Sequence, residues 1–140
     1  MTGWDSTMRF TVDRLDHVVL NCRDVEMACA WYQRVLGMER EEYGTPTRTA
    51  LKFGGQKINL RPGDADASSW ATARTATVGS ADFCFVSAVG PEEVVRHLRA
   101  CGVAVEIGPV ARIGALGMMT SVYCRDPDGN LVEIGSYLSD

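Results

Sequence analysis

LDHVVLNCRDVEMACAWYQRVLGM, residues 15–38, is the stretch whose reading decides the fold. Residues 15–21 (LDHVVLN) form a short β-type run. Asp24 then caps a helical pattern through Val25, Ala28, Trp31, Tyr32, Val35 and Leu36, which Gly37 ends. Three short segments follow, 38–43, 48–53 and 57–60, punctuated by Gly44, Pro46 and the pair Gly54 and Gly55, as in a small antiparallel meander. The first half therefore reads βαβββ.

Working outward, the second half repeats that order. Residues 81–86 (ADFCFV) read as a strand, Pro91 opens a helix carrying Val94, Val95, Leu98 and Cys101, and Gly102 ends it. Three β segments come next: 103–107, then 119–125 beyond a loop with three glycines, then 131–137 after the turn Asp126-Pro127-Asp128-Gly129. That turn is read as structural, not as a catalytic pair of carboxylates. Residues 62–79, rich in Ala, Ser, Thr, Asp and Gly, read as a linker. The expected organisation is a tail over 1–12 and one domain over 13–137, with module one at 13–61 and module two at 80–137. A four-stranded sheet with one helix covers only one of its faces. The expected fold is thus α+β: two tandem βαβββ modules forming one curved open-barrel sheet with a central cleft.

A chain of 140 residues with 46% hydrophobic and 23% charged residues can bury one core. No apolar run approaches the roughly 18 residues needed to cross a bilayer, and the N-terminal stretch lacks a signal-peptide core, so a soluble cytoplasmic protein is expected. The net charge of -4 has the wrong sign for neutralising phosphates, which argues against nucleic acid as a partner. Cysteines 22, 29, 84, 101 and 124 are odd in number and contain no C-x-x-C pair, so they read as buried thiols rather than a disulfide framework or zinc knot. His17 and His97 are the only histidines, and neither is expected to partner a cysteine; His97 is read as solvated on the second helix.

Residues two apart on a strand share a face. If Val18 and Leu20 pack on the helix, then His17, Val19 and Asn21 face the cleft; likewise Phe83 and Phe85 leave Asp82, Cys84 and Val86, while Val132 and Ile134 leave Glu133. Asn59 joins them between Ile58 and Leu60. Two carboxylates and an imidazole in an apolar trough are commonly neutralised by a divalent cation, so His17, Asp82 and Glu133 are the expected metal ligands. Such a set suits Mn²⁺, Fe²⁺ or Mg²⁺, with Zn²⁺ and Ni²⁺ also compatible. Residues 112–117 read as a glycine-hinged loop able to close over the cleft, with Arg112 presenting a fork to a carboxylate or phosphonate. Trp31 and Tyr32 sit at core spacing and read as packing.

The stretches at 15–38, FGGQKINL in the middle and SVYCRDPDGNLVEIGSY at the end resemble the vicinal oxygen chelate (VOC) superfamily, the glyoxalase, bleomycin resistance and dioxygenase type. Through GSADFCF, ACGVAVEIGPVARIGALG and SVYCRDPDGNLVEI the chain looks closest to the subgroup of glyoxalase domain-containing protein 5 and virulence-associated members. The resemblance implies metal ligands on the first and last strands of each module, at positions matching His17, Asn59, Asp82 and Glu133. It also shows two departures: Asn59 stands where glyoxalases have Glu or Gln, and Asp82 where most members have His. Ser121 and Tyr123 resemble the Ser and Tyr that contact phosphonate in the fosfomycin-modifying branch.

The functional expectation is a metal-dependent enzyme acting on a small oxygenated metabolite by chelating two neighbouring oxygens. Its chemistry would be of the lyase, isomerase or dioxygenase kind, with Glu133 as catalytic base and Asn59, Arg112, Ser121 and Tyr123 binding substrate. The resemblance implies a homodimer. The alternatives are a metal-free protein that sequesters a small molecule or antibiotic, and a module that serves only dimeric interaction.

Overall fold

The computed structural model describes residues 9–137; positions 1–8 of the expected tail lie outside the described residues. The elements run β1 (His17–Cys22), α1 (Val25–Leu36), β2 (Glu39–Tyr43), β3 (Arg48–Phe53), β4 (Gln56–Pro62), β5 (Asp82–Val86), α2 (Pro91–Ala100), β6 (Ile107–Gly114), β7 (Gly117–Arg125) and β8 (Leu131–Ser136). The two helices start differently. Extended Asp24 accepts the Met27 N–H at 3.0 Å, supplying one of the acceptors that a helix start lacks. Helix α2 has Gly90 at the same position and no side-chain cap; Pro91 removes one orphan donor and Glu92 and Glu93 complement the helix dipole. Gly37 closes α1 in the left-handed region, at φ 67°.

The expected two-module α+β architecture is what the chain adopts, its eight strands forming two four-stranded mixed sheets. Their orders, β1-β4-β3-β2 and β5-β8-β7-β6, are equivalent. In each, the first strand pairs parallel with the last and the remaining pairs are antiparallel.

One correction concerns the sixth strand. It occupies Ile107–Gly114, not 103–107, so the expected glycine loop is strand with a tight hairpin between Gly114 and Gly117. The glycines read as breakers because they carry no strand propensity, whereas Gly108 marks a shift in register between Ile107 and Val110. Arg112 is therefore a strand residue, opposite Met119.

A single apolar cluster runs through both modules, from Leu20, Tyr32, Val35, Leu51 and Leu60 to Leu98, Val122, Val132 and Ile134. Phe53 of β3 meets Phe85 of β5 edge to face at 5.4 Å. The polar seam is centred on buried Asp126. It accepts from Tyr32 Oη at 2.7 Å, from Asn130 Nδ2 at 2.7 Å and from the backbone N–H groups of Asp128 and Asn130. Asn130 Oδ1 in turn accepts from Ala81 N at the head of β5. The Asp126-Pro127-Asp128-Gly129 turn thus ties α1 of module one to two strands of module two. Because the helix-side faces of both sheets share this core, each sheet's other face points away from it. Among the described residues no helix is long and apolar enough to cross a membrane.

Candidate functional site on the outer sheet faces

Strand register places the chemistry-bearing residues of module two on one surface. Cys84 of β5 lies opposite Glu133 of β8, with Asp82 one pleat along. Across the next ladder Glu133 faces Tyr123 and Gly135 faces Ser121, and Val110 and Arg112 of β6 continue the row beyond Ser121 and Met119. Arg112 Nε donates to Tyr123 Oη at 2.9 Å and its Nη1 to the Ala111 carbonyl at 3.0 Å, which fixes the guanidinium at the edge of the face. Among the described residues no carboxylate pairs with it. Ser121 is fully buried and its Oγ has no hydrogen-bond partner.

Cys84 departs from the expectation of a buried thiol: it is exposed, because alternation turns it outward between Phe83 and Phe85. Its sulfur nevertheless rests against Met119 and Gly135. Lost hydration there, followed by the charges of Glu133 and Asp82, pushes the thiol up to about 11.

The outer face of module one is built on the same register from different residues. His17, Val19 and Asn21 of β1 align with Lys57, Asn59 and Arg61 of β4, and Asn59 faces Ala50 of β3. His17 Nδ1 contacts Asp16 Oδ2 at 2.8 Å, and the imidazole is 44% exposed. Lys57 lies 3.5 Å from Glu41 and 4.0 Å from the Tyr43 ring centre. Asn59 is buried and its Oδ1 has no partner; Tyr43 Oη is likewise orphaned. An orphaned buried oxygen costs about 1–3 kcal/mol, so two on one face are a reason to expect a bound group there.

Arg61 was missed by sequence reasoning, which ended the strand at Leu60, although it is in phase with Asn59. It is 2% exposed and donates to Asn21 Oδ1 at 2.8 Å and to the carbonyls of Ala65, Trp70 and Pro62. Its charge has no carboxylate partner among the described residues and its bonds hold residues 62–70 against the sheet.

The structure therefore gathers Asp82, Glu133, Arg112, Ser121 and Tyr123 on the outer face of one sheet, and His17 with Asn59 on that of the other. Among the described residues no group of three or more His, Cys, Asp and Glu is placed to hold a metal ion. A cavity of about 380 Å³ does lie between the modules, on the helix side, lined by Leu36, Phe53, Phe85 and Val94 together with Glu93 and His97. None of the expected site residues lines it. His97 also departs from expectation: its Nε2 lies 3.5 Å from Cys101 Sγ and 2.8 Å from the Val35 carbonyl. The four-residue spacing on α2 carries that signal.

The sequence matches the model of the Glyoxalase/Bleomycin resistance protein/Dioxygenase superfamily over residues 14–134. It is 39% identical over 132 residues to virulence protein STM3117 of Salmonella typhimurium, covering 94% of this chain and 90% of that protein. It is 40% identical over 129 residues to glyoxalase domain-containing protein RDO1 of Mycosarcoma maydis, covering 92% and 71%. Integron cassette protein VCH_CASS1, from the mobile metagenome of V. cholerae, superposes with a TM-score of 0.89 at 40% identity, over 94% of this chain and 100% of that one. The fold also serves a lactoylglutathione lyase of Agrobacterium tumefaciens (28% identity, 91% and 96% covered, TM-score 0.68) and the antibiotic-binding protein TnmS3 of a Streptomyces (17% identity, 91% and 98% covered, TM-score 0.70).

Proposed function

The chain belongs to the Glyoxalase/Bleomycin resistance protein/Dioxygenase superfamily, and on that premise we propose that it is a metal-dependent enzyme for a small, anionic oxygenated metabolite, with a site assembled between two copies of the chain. In this reading the outer face of sheet one from one copy meets that of sheet two from its partner. The observation that carries it is the pair of orphaned buried oxygens, Asn59 Oδ1 and Ser121 Oγ, on two faces that point away from a shared core.

The donor set fits a divalent ion only when both faces contribute. Sheet two offers the carboxylates of Asp82 and Glu133, sheet one the imidazole of His17 and the amide oxygen of Asn59, and no single face supplies the complete set. Charge complements this pairing, since Lys57 and Arg61 stand on the face that would receive Asp82 and Glu133. A bound divalent ion would supply Lewis acidity toward two neighbouring substrate oxygens. The remaining work falls to side chains. Arg112, held by Tyr123, binds an anionic group of the substrate, and Ser121 donates its unpaired hydroxyl to it. Glu133 takes a proton from the carbon or oxygen next to the chelated pair.

The test is complementation. His17→Ala and Glu133→Gln chains should each lose Mn²⁺ uptake, read by thermal shift and elemental analysis. Mixed after subunit exchange, they should regain part of it, because one of the two shared sites then carries both intact residues. Loss that mixing does not repair places the site within one chain. Wild-type protein indifferent to metal, yet stabilised by a small anionic ligand, would instead identify a sequestering protein.

A further inference from the structure

Cys84 and Met119 bring two sulfur atoms together on the outer face of sheet two, and we propose that they form a binding site for a soft monovalent cation, copper(I). Sγ of Cys84 lies 3.9 Å from Sδ of Met119. Gly135 creates the space in which they meet: a Cβ at that position would stand 2.6 Å from Met119 Sδ and 3.4 Å from Cys84 Sγ. An ion about 2.3 Å from each sulfur would see them at an angle of about 116°, close to the opening of a trigonal site. Thiolate and thioether are the donors that select copper(I) over the harder divalent ions.

A second feature lies on the same face. Ser121 is the direct cross-strand neighbour of Gly135, so it shares that face; it is 0% exposed and its Oγ is unpaired. Binding breaks the Cys84 S–H bond and forms an S–Cu bond, the proton leaves to solvent, and copper remains in the +1 state, so no electron is transferred. The third position is open to an incoming donor. The sulfur pair belongs to one chain, so this inference does not rest on the shared divalent site. The other cysteines are poorer competitors, since Cys22, Cys29 and Cys124 are buried and Cys101, just past the end of α2, has His97 rather than a second sulfur beside it.

Anaerobic titration of the full chain with copper(I), in competition with a chromogenic copper(I) chelator, tests the site. We expect one tight equivalent. Cys84→Ser should weaken it at least about 100-fold and Met119→Leu, which conserves volume, about tenfold, with Cys101→Ser unchanged. X-ray absorption of the loaded protein should show two sulfur neighbours at about 2.3 Å. Circular dichroism of Met119→Leu establishes that it folds. A folded Met119→Leu variant with wild-type affinity, or loss of the tight equivalent in Cys101→Ser, overturns the assignment. The separate Mn²⁺ titration of His17→Ala reports on the shared site and leaves this result unaffected.

Discussion

The two modules share strand order, helix placement and pairing register, so their outer faces can be compared residue by residue. His17 corresponds to Asp82, Lys57 to Leu131, Asn59 to Glu133, Val19 to Cys84 and Arg61 to Gly135. Every one of these pairs differs in chemistry. The helix-facing residues between them, Val18 and Leu20 against Phe83 and Phe85, or Ile58 and Leu60 against Val132 and Ile134, remain apolar. A shared core constrains only alternate positions, and the outward positions can diverge without cost to the fold. The contrast of Arg61 with Gly135 is the widest. In module one the position holds a buried cation that fastens the stretch after β4; in module two it is a gap filled by sulfur.

Removing Arg61 should therefore have the largest effect. Arg61→Leu abolishes bonds to four acceptors, Asn21 Oδ1 and the carbonyls of Pro62, Ala65 and Trp70, and puts an apolar side chain where a buried guanidinium held residues 62–70 to the sheet. The expected loss is about 3–5 kcal/mol in urea unfolding, with early proteolysis within residues 62–79. Gly135→Ala displaces only the flexible end of Met119 and should cost about 1–3 kcal/mol. Equal losses would refute the asymmetry between the two positions.

The seam between modules comes next. Tyr32→Phe removes one of four hydrogen bonds to buried Asp126 and nothing else from the packing of α1, so about 1–3 kcal/mol should be lost. If Asp126 joins the modules as the geometry implies, unfolding should also lose cooperativity, seen as non-coincident fluorescence and circular dichroism transitions. Coincident transitions with unchanged stability would make the contact incidental.

A smaller effect separates the helices. Asp24→Ala should cost about 1 kcal/mol by removing the acceptor for the Met27 N–H. Gly90 is already extended, at φ -74° and ψ 168°, so Gly90→Ser should stabilise α2 by about 0.5 kcal/mol. Thermal melts of both variants at one pH settle the comparison. A destabilised Gly90→Ser would show that the α2 start is constrained by something other than capping.

Much of this arrangement was legible before any coordinates. The run from Asp24 to Gly37 carries its own start, periodicity and stop, and the alternation in HVVLN and DFCFV correctly assigned the faces of β1 and β5. Reading failed where a residue's meaning depends on a distant strand. Gly108 and Gly114 resemble loop residues until β6 as a whole pairs with β7, and Arg61 resembles a strand-end cation until residues 65 and 70 fold back over it. The outward phase of His17, Asp82 and Glu133 was visible as well. Phase alone places residues on a face, and it carries no information about which faces of two sheets meet. For the same reason Cys84 was read as buried although its phase was outward.

The smallest predicted difference is electrostatic and compares the clamp of each module. In module one Arg40 reaches Glu26 of α1 at 2.7 Å and Glu42 of its own strand at 2.7 Å; in module two Arg125 holds one carboxylate, Glu106, through two bonds of 2.7 and 3.1 Å, and the Gly129 carbonyl at 3.3 Å. Both Glu26 and Glu106 are held below the ordinary glutamate value of 4.5, chiefly by hydrogen bonds from these arginines. A carboxyl whose folded pKa is depressed contributes its full stabilisation above 4.5 and loses it as pH falls through the folded value. Glu26→Gln and Glu106→Gln should therefore each lower the melting temperature slightly at pH 7, by about 2 °C or less for such exposed groups. As pH falls below 4.5 and through the depressed folded value each variant should converge on the wild type, and at high salt the difference should shrink at every pH. Arg40 retains Glu42 when Glu26 is neutralised, whereas Arg125 loses its only carboxylate among the described residues, so Glu106→Gln should be the more damaging of the two. A larger effect at Glu26, or one that does not shrink as pH falls below 4.5, would show that packing of the α1 start against β2 outweighs the charge.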